Sequence, residues 1–414
     1  MLAAAALSAV LVAPAAGAAP AGEETGAAAY DEDAVIVSYR RGVGPAELRP
    51  LLERNGVERA IDEIPAVDAE VVRVEGDPAR VAERLESHPK VDYAEPDYVV
   101  RAQASRPDDA EFESLWGLSN RGQTGGRRGA DIGAIGGWRR AGLLGYPRRG
   151  GVPVGVIDTG VAPRHPDLRR KVVACTSRRT ADLLGGCHDD SGHGTHVAGT
   201  LAAVADNGRG VAGVAFNSPL IVCRALGGVN QTGYTSDIAK CVDWVKRRGA
   251  RVISMSFASE QPSTTLHRAL KAAWKGGRRG GAVLVAAAGN HQSGQSAYRA
   301  SYPAAFGQVV SVGSTDDHDR HAEFSNVHRT VELVAPGVDI LSTGYPLGYS
   351  RLSGTSMSAP HVAGVAAQLR NLHPRWRAWR VRRVMRATAD GLGPQGKDST
   401  FGYGRVDLAR AARR

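Results

Sequence analysis

Short apolar runs alternate with helix-like segments through the middle of the chain. The runs consist mainly of Val, Ile, Leu and Ala and lie at 152–158, 219–226, 251–257, 282–290 and 309–315. Strands this apolar are buried on both faces, and the segments between them, such as 235–249, have helical spacing. The pattern predicts an α/β fold, a doubly wound and mostly parallel sheet with helices on both faces.

A different pattern occupies residues 30–101. It predicts strands at 34–39, 69–75 and near 98–101, and helices at 45–55 and 78–87. Strand, helix, strand, helix and strand within about 70 residues are typical of a split βαβ unit. We therefore predict a small α+β, ferredoxin-like domain before the larger one, and this domain alone indicates no function.

Composition and charge narrow the classes of protein. The 414 residues are 43% hydrophobic and 6% aromatic. This composition is typical of a globular protein and differs from that of a collagen, a coiled coil or a multi-span membrane protein. The net charge is +10, but residues 1–101 carry 10 Lys and Arg against 19 Asp and Glu. Residues 102–414 are therefore basic, and an excess of Lys and Arg suggests a polyanion partner. The Arg residues are scattered along the sequence, however, so solvated surface charge is favoured and no nucleic-acid partner is predicted.

The first 20 residues resemble an export signal. Residues 2–20 are apolar and Ala-rich, and Ala16 and Ala18 form the small-residue pattern that a signal peptidase needs, although no Lys or Arg precedes them. A retained membrane anchor is the alternative, but Pro14, Gly17 and Pro20 interrupt the stretch. We predict a signal peptide at 1–18, a linker at 19–29 and a secreted, extracellular protein.

The chain has four cysteines, Cys175, Cys187, Cys223 and Cys241. An even number in an exported protein favours two disulfides, for which three connectivities are possible. We favour the sequential pairing, in which each bridge closes a short loop. The alternative is a metal site with His188, but a second paired cysteine spacing is missing.

Three sequence islands, at 156–160, 192–200 and 353–361, each supply one group of a hydrolytic site. They contain Asp158, His193 and Ser356, in that order. A Ser hydroxyl becomes a nucleophile when an imidazole accepts its proton, and a buried carboxylate orients that imidazole. Small apolar residues at helical spacing follow Ser356, so we expect it at a helix N-terminus, where backbone N–H groups favour negative charge.

With these motifs, the chain resembles the subtilisin-like serine proteases (subtilases) from about residue 115 to residue 412. The resemblance implies that Ser356 is the nucleophile, His193 the general base and then acid, and Asp158 the residue that orients it. It also implies that Asn290 donates to the oxyanion; the alternative is a turn residue after a strand. We assign His196 and His361, the other motif histidines, to structural roles.

The resemblance further implies a peptide-binding cleft with strands on both sides. The implied substrate-binding residues are Gly233, Tyr234, Ser256, Phe257, Ala258 and Ser301. Ala258 stands where the family usually has Gly, so its methyl group is expected to narrow the first specificity pocket. We also expect a cis peptide bond at Tyr302-Pro303.

Asp109, Asp167 and Asn207 match positions that bind calcium in related enzymes, together with backbone carbonyls of the 205–211 loop. Hard oxygen ligands suit Ca²⁺. Three ordinary polar surface residues are the alternative. The expected calcium is structural, and the chemistry needs no cofactor.

Residues 30–101 resemble the propeptide that assists folding and inhibits the active site until it is cleaved. Cleavage is expected between Arg101 and Asp108, so that residues 102–114 form the processing and mature N-terminal segment and residues 115–414 the subtilase domain. The opposite charges of the two parts would speed their docking.

The sequence thus predicts a secreted, monomeric serine endopeptidase of broad specificity that acts on proteins or peptides and processes its own precursor. Its propeptide is the expected intramolecular inhibitor, and no membrane association is expected after signal removal. The alternatives are a catalytically silent subtilase scaffold that only binds, and polyanion binding by the basic part of the chain.

Overall fold

The computed structural model describes residues 30–40, 42–98, 106–179, 186–228, 230–276 and 280–414. The predicted signal peptide, the linker and most of the predicted cleavage segment lie outside these residues. The chain divides into two compact units, here called the N-terminal unit, within residues 1–102, and the C-terminal unit, within residues 103–414. In the described part of the chain, no helix has the length and apolar character required to span a bilayer.

The N-terminal unit is an antiparallel sheet with two helices. Its elements are β1 (Tyr30–Tyr39), α1 (Pro45–Arg54), β2 (Val57–Ile64), β3 (Ala69–Val74), α2 (Pro78–Glu86) and β4 (Val91–Tyr98). The strands are ordered β2-β3-β1-β4. Leu48 and Leu52 of α1 and Val81 and Leu85 of α2 share one buried cluster with the sheet. The predicted ferredoxin-like domain is confirmed.

The two strands at the sheet edges were predicted poorly. No strand was predicted at β2. The last strand was predicted near 98–101, but β4 lies at Val91–Tyr98. Residues 99–101 lie outside the described residues. In β2 only Val57 is buried. β4 contains Pro96, which an edge strand tolerates because its free side needs no donor. Edge strands lack the apolar repeat from which the other strands were recognised.

The C-terminal unit alternates strands and helices. Its strands are β5 (Val154–Asp158), β6 (Val172–Ser177), β7 (Leu220–Arg224), β8 (Val252–Met255), β9 (Val283–Ala287), β10 (Val309–Thr315), β11 (Val331–Pro336), β12 (Ile340–Thr343) and β13 (Tyr349–Leu352). Its helices are α3 (Ala134–Arg140), α4 (His193–Ala202), α5 (Thr235–Arg247), α6 (Thr264–Lys275), α7 (Thr355–Leu372), α8 (Ala378–Thr388) and α9 (Leu408–Ala411).

The main sheet has seven parallel strands in the order β11-β10-β9-β8-β5-β7-β6, which confirms the doubly wound prediction. Alternate side chains of β5 enter different cores: Val156 packs with α4 and α7, and Ile157 packs with α5 and α6. The chain runs to one side of β5 and then returns to add β8 on the other. In such sheets the crevice for ligands opens at this switch point, at the carboxyl ends of the strands.

Two strands of the main sheet, β6 and β11, are not marked by an apolar run in the sequence. β6 is an edge strand whose residues are only partly buried or exposed. β11 is fully buried, but Glu332 interrupts its apolar sequence. Arg382 and Arg386 of α8 each donate to Glu332 Oε1 at 2.7 Å, so the buried carboxylate is paired. Such a pairing partner, some 50 residues away, leaves no local sequence signal.

The sequential cysteine pairing is confirmed. Cys175 is bonded to Cys187 and Cys223 to Cys241, and these bridges span 12 and 18 residues. Cys223 lies in β7 and Cys241 in α5, so the second bridge holds a helix against the sheet.

Candidate active site

Asp158 and His193 are in direct contact at the carboxyl end of β5. Asp158 is the last residue of the strand and is fully buried, and its Oδ1 accepts from the backbone N–H of Thr159 at 2.8 Å. His193, the first residue of α4, donates from Nδ1 to the same oxygen at 2.6 Å. Burial favours the neutral imidazole, but the charge of Asp158 and this hydrogen bond outweigh burial and raise the pKa of His193.

A third group, Asp189, was missed by the sequence analysis. This buried carboxylate accepts from the Thr159 hydroxyl at 2.9 Å, from the backbone N–H of Gly192 at 3.0 Å and from that of Thr195 at 2.8 Å. Burial alone would raise its pKa, but hydrogen bonds hold the pKa of Asp189 below its ordinary value, above all the one from the Thr195 hydroxyl at 2.6 Å, together with those from nearby backbone N–H groups and the Thr159 hydroxyl. Asp189 thereby ties the turn after Asp158 to the first turn of α4. Gly192 holds the N-cap position of α4, three residues after Asp189, so the usual capping signal does not identify this carboxylate, and its bond to Thr159 spans 30 residues.

Glycine permits the close contact between these two segments. Gly194 follows His193, and a Cβ there would collide with the carbonyl oxygen of Gly160. The Gly194 backbone N–H donates to the Thr159 hydroxyl at 2.8 Å. Any larger residue at 194 would push α4, and His193 with it, away from Asp158.

Ser356 is the second residue of α7, as expected for a helix N-terminus. Its hydroxyl donates to the carbonyl oxygen of Ser256 at 2.9 Å, and the Ser256 hydroxyl donates back to the Ser356 carbonyl at 2.9 Å. Pro360 explains the second bond: it has no N–H, so the carbonyl four residues earlier lacks its helical donor. Ser356 is thus tied to the end of β8. In this rotamer its proton faces Ser256, while the residue lines the same groove as His193.

Asn290 is held beside Ser356 by Thr355. Its Oδ1 accepts from the Thr355 backbone N–H at 3.1 Å and from the Thr355 hydroxyl at 2.9 Å. The Thr355 hydroxyl in turn accepts from the backbone N–H of Gly289 at 3.2 Å. With Oδ1 occupied, Nδ2 is the donating side of the amide, and it lies 3.3 Å from the point where a Cβ at Gly354 would stand. Thr355, which the sequence analysis passed over, therefore orients the amide.

The groove beside His193 and Ser356 has a volume of about 470 Å³ and is bounded by two segments. Residues 230–233 line one part, and residues 256–259, which follow β8, line another. Gly233, Ser256, Phe257 and Ala258 are among the lining residues, together with Leu226, Leu266 and Tyr302, which the sequence analysis did not assign to it.

Two of the expected substrate-binding residues adjoin the lining residues of this groove without being among them. Tyr234 immediately precedes α5, lies between the lining residues Gly233 and Thr235, and has 72% of its surface exposed. Ser301 is buried, and its hydroxyl accepts from Asn326 Nδ2 at 3.0 Å. The neighbouring Tyr302-Pro303 bond is cis, as expected, and a second cis bond joins Tyr345 and Pro346.

The other motif histidines are fixed by backbone carbonyls. His196 donates from Nε2 to Ile340 at 2.9 Å, and His361 donates from Nδ1 to Met357 at 2.8 Å. Burial lowers the pKa of each to about 4, so both imidazoles are neutral near neutral pH. A structural role is consistent with these contacts.

Asp109, Asp167 and Asn207, the expected calcium ligands, lie together. Asn207 Nδ2 donates to Asp167 Oδ1 at 2.9 Å, and the backbone N–H of Asn207 donates to Asp109 Oδ1 at 3.3 Å. Both carboxylates are buried. Burial, and to a smaller extent the neighbouring charges of Asp167 and Asp108, raise the pKa of Asp109 to about 7. No cationic side chain of the described residues is bound to these two buried carboxylates, and such a pair fits a hard divalent cation.

Comparisons with known proteins extend over both units. The subtilase family model matches residues 149–404, and the fervidolysin N-terminal prodomain model matches residues 16–97. A "thermophilic serine proteinase" of Bacillus sp. (strain AK1) is 35% identical over 392 residues, which cover 92% of this chain and 88% of that protein. Subtilisin DY of Bacillus licheniformis is 41% identical over 263 residues, 63% of this chain and 90% of that protein.

One similar solved structure is that of a protease from Pseudoalteromonas arctica PAMC 21717. It aligns with a TM-score of 0.63 and 28% identity, over 74% of this chain and 99% of that chain. The similarity therefore includes the fold as well as the sequence.

Proposed function

Because this chain belongs to the subtilase family and is a subtilisin-like serine protease with an N-terminal prodomain, we propose that Asp158, His193 and Ser356 are its catalytic triad. The observation that carries the proposal is the 2.6 Å bond from His193 to the buried Asp158, beside a groove that Ser356 also lines.

Peptide hydrolysis would begin with rotation of the Ser356 hydroxyl from the Ser256 carbonyl toward His193 Nε2. Hydrogen bonds between catalytic groups are commonly completed only when substrate binds. His193 accepts the proton as Ser356 Oγ attacks the peptide carbonyl, and Asp158 stabilises the imidazolium that forms. His193 then gives the proton to the leaving amine, and water hydrolyses the acyl-enzyme by the same steps in reverse order.

The oxyanion of each tetrahedral intermediate would receive two hydrogen bonds. One donor is Asn290 Nδ2, and the other is the backbone N–H of Ser356. The orientation of Asn290 by Thr355 supports the first assignment, and the position of Ser356 in the first turn of α7 supports the second. Donors already in place need no reorganisation when the charge develops, which is the source of their effect on rate.

We assign broad specificity to the substrate groove. None of the described residues that line it is Asp or Glu, whereas a protease selective for basic residues needs an acidic pocket. Ala258, which lies in the groove, would narrow the first specificity pocket by one methyl group. The peptide is expected to bind extended, with backbone hydrogen bonds to residues 231–234 and 256–258.

Secretion, self-processing and calcium binding complete the proposal. The prodomain, residues 30–101, would act as an intramolecular inhibitor until cleavage between Arg101 and Asp108. Residues 102–114 would then form the processing and mature N-terminal segment, and residues 115–414 the subtilase domain. Calcium would be held by Asp109, Asp167 and Asn207 and would stabilise the loop at 205–211 without taking part in the chemistry. The buried carboxylates support this assignment.

Incubation of the purified full-length chain beside Ser356→Ala tests the proposal. The parent should convert to a shorter form whose new N-terminus falls between residues 102 and 108, and the variant should remain intact. A fluorophosphonate probe should label the processed parent and leave the variant unlabelled. An unlabelled, uncleaved and correctly folded parent would instead favour a silent scaffold that only binds.

A further inference from the structure

Seven basic side chains meet in a groove that has no part in the proposed chemistry. Arg148 and Arg149 precede β5, a second group follows β5 at 164–171, and Arg209 belongs to the loop after α4. The groove has a volume of about 360 Å³, and its basic lining residues are Arg148, Arg149, Arg164, Arg169, Arg170, Lys171 and Arg209. We call it the basic groove. These residues are scattered along the sequence, because three separate segments contribute them.

The arginines of the basic groove are available to a ligand. All six are exposed, and none of them forms an ion pair with a carboxylate of the described residues. Other arginines of the C-terminal unit differ: Arg382 and Arg386 pair with Glu332. Asp167, the carboxylate within the 164–171 segment, is buried and accepts from Asn207 and Tyr349.

The remaining lining residues add neither negative charge nor an aromatic ring. They are Pro166, Val204 and Asn207, and the Asn207 amide is already bonded to Asp167. Like charges gathered in one groove repel each other and raise the local concentration of anions. Guanidinium groups match the geometry of sulfate and phosphate oxygens and bind them through paired hydrogen bonds.

We propose that the basic groove binds an acidic glycan through its sulfate or phosphate groups. A glycan is favoured over single-stranded nucleic acid because the groove offers no aromatic side chain on which bases stack. The site is separate from the peptide groove, with which it shares no lining residue. Bound glycan would hold the protease at an acidic surface and leave its active site open.

The test uses the full-length chain carrying Ser356→Ala, which prevents self-cleavage. Heparin serves as the sulfated glycan and yeast phosphomannan as the phosphorylated one, and binding is measured by titration at several salt concentrations. Affinity for at least one of them should fall steeply and linearly on a log–log plot as salt rises, because binding releases counterions. The arm that binds more tightly identifies the anion.

Two variants distinguish binding in the basic groove from attraction by the overall positive charge. Arg164→Ala/Arg169→Ala/Arg170→Ala should lose about tenfold or more in affinity and show a shallower salt slope. Arg148→Ala/Arg149→Ala, on a different segment, should weaken binding in the same way. Lys171 and Arg209 are left unchanged, since Lys171 is buried with its amine donating to the Phe216 carbonyl and Arg209 lies within the loop at 205–211.

The matched control removes three positive charges from another face. Arg268→Ala/Lys271→Ala/Lys275→Ala changes exposed residues of α6 and should bind both glycans as the parent does. Equal losses in the control and in the groove variants, at unchanged unfolding temperatures, would overturn the proposal. The proposal would also be overturned if duplex DNA bound as tightly as either glycan and the same groove variants lost that binding. The basic groove would then be a nucleic-acid site.

Discussion

Two clusters of buried carboxylates in the C-terminal unit are stabilised in different ways. At the active site, Asp189 is surrounded by hydroxyl and backbone donors, and its pKa falls below the ordinary value. Beside the 205–211 loop, Asp109 lies near Asp167 with fewer donors, and its pKa rises to about 7.

The difference shows what each buried carboxylate still needs. Burial disfavours the charged form unless donors or an opposite charge compensate for the lost water. In the active-site cluster, hydrogen-bond donors of the chain itself provide this compensation. No described residue forms an ion pair with the carboxylates of the loop cluster, where Ca²⁺ would provide the compensating charge. Changes in the first should therefore act on turnover, and changes in the second on stability.

The largest effect is expected at Asp158. Asp158→Asn removes the charge that stabilises the His193 imidazolium and allows the wrong tautomer, so kcat should fall about 10⁴-fold. Steady-state hydrolysis of a small peptide substrate measures this loss. Asp243→Asn, on the exposed face of α5, is the control and should keep the parental kcat. A fall of less than tenfold at Asp158 would remove it from the triad.

A smaller loss of turnover is expected at Asn290. Asn290→Asp keeps an acceptor for Thr355 but removes the Nδ2 donor, so kcat should fall about 10²- to 10³-fold with little change in KM. Thr355→Val keeps the donor and loses only part of its orientation, so its effect on kcat should be smaller. Equal changes in kcat and KM at Asn290 would indicate a turn residue without a role in the transition state.

The loop cluster predicts an effect on unfolding. Chelation of calcium should lower the unfolding temperature of the processed enzyme, since saturation at about 100 times the dissociation constant stabilises by about 2.7 kcal/mol. Asp109→Asn should be less stable than the parent with calcium present. In chelator the order should reverse, because the variant relieves the repulsion between two buried carboxylates.

That reversal is the decisive observation, and scanning calorimetry with and without chelator measures it. Glu260→Gln, at an exposed loop position, serves as the control and should follow the parent in both conditions. Unfolding that is indifferent to chelator in every variant would assign the three residues to an ordinary polar cluster.

The smallest effect concerns pH. Asp189 is among the charges that raise the pKa of His193. Hydrolysis requires the neutral imidazole, so activity appears as the pH rises through the raised pKa of His193. Asp189→Asn removes one of the charges that raise this pKa, so the acidic limb of the kcat/KM profile should move to lower pH. The shift should be smaller than any that Asp158 mutation causes, because Asp158 is in direct contact. If the acidic limb of the Asp189→Asn profile stayed at the parental pH, Asp189 would act only on structure.

Elements and residues with a local sequence signal were predicted, and those without one were not. Buried strands such as β5, β8 and β9 were predicted because their apolar residues are contiguous, and α7 because its small residues repeat at helical spacing. β2 and β4 were poorly predicted because edge strands are polar. Thr355 and Asp189 were passed over because their roles depend on partners that are distant in the sequence.

The sequence by itself determined the family, the two-unit organisation and the residues of the proposed triad, because each depends on short motifs or local periodicity. It left three cysteine pairings open, and the structure has the sequential one. Only the tertiary structure decided the partners of those residues. It directed the Ser356 hydroxyl to the Ser256 carbonyl, fixed the amide of Asn290 through Thr355, and gathered arginines from three segments into one groove. These arrangements depend on contacts between residues far apart in the chain, and such contacts exist only after the sheet has assembled.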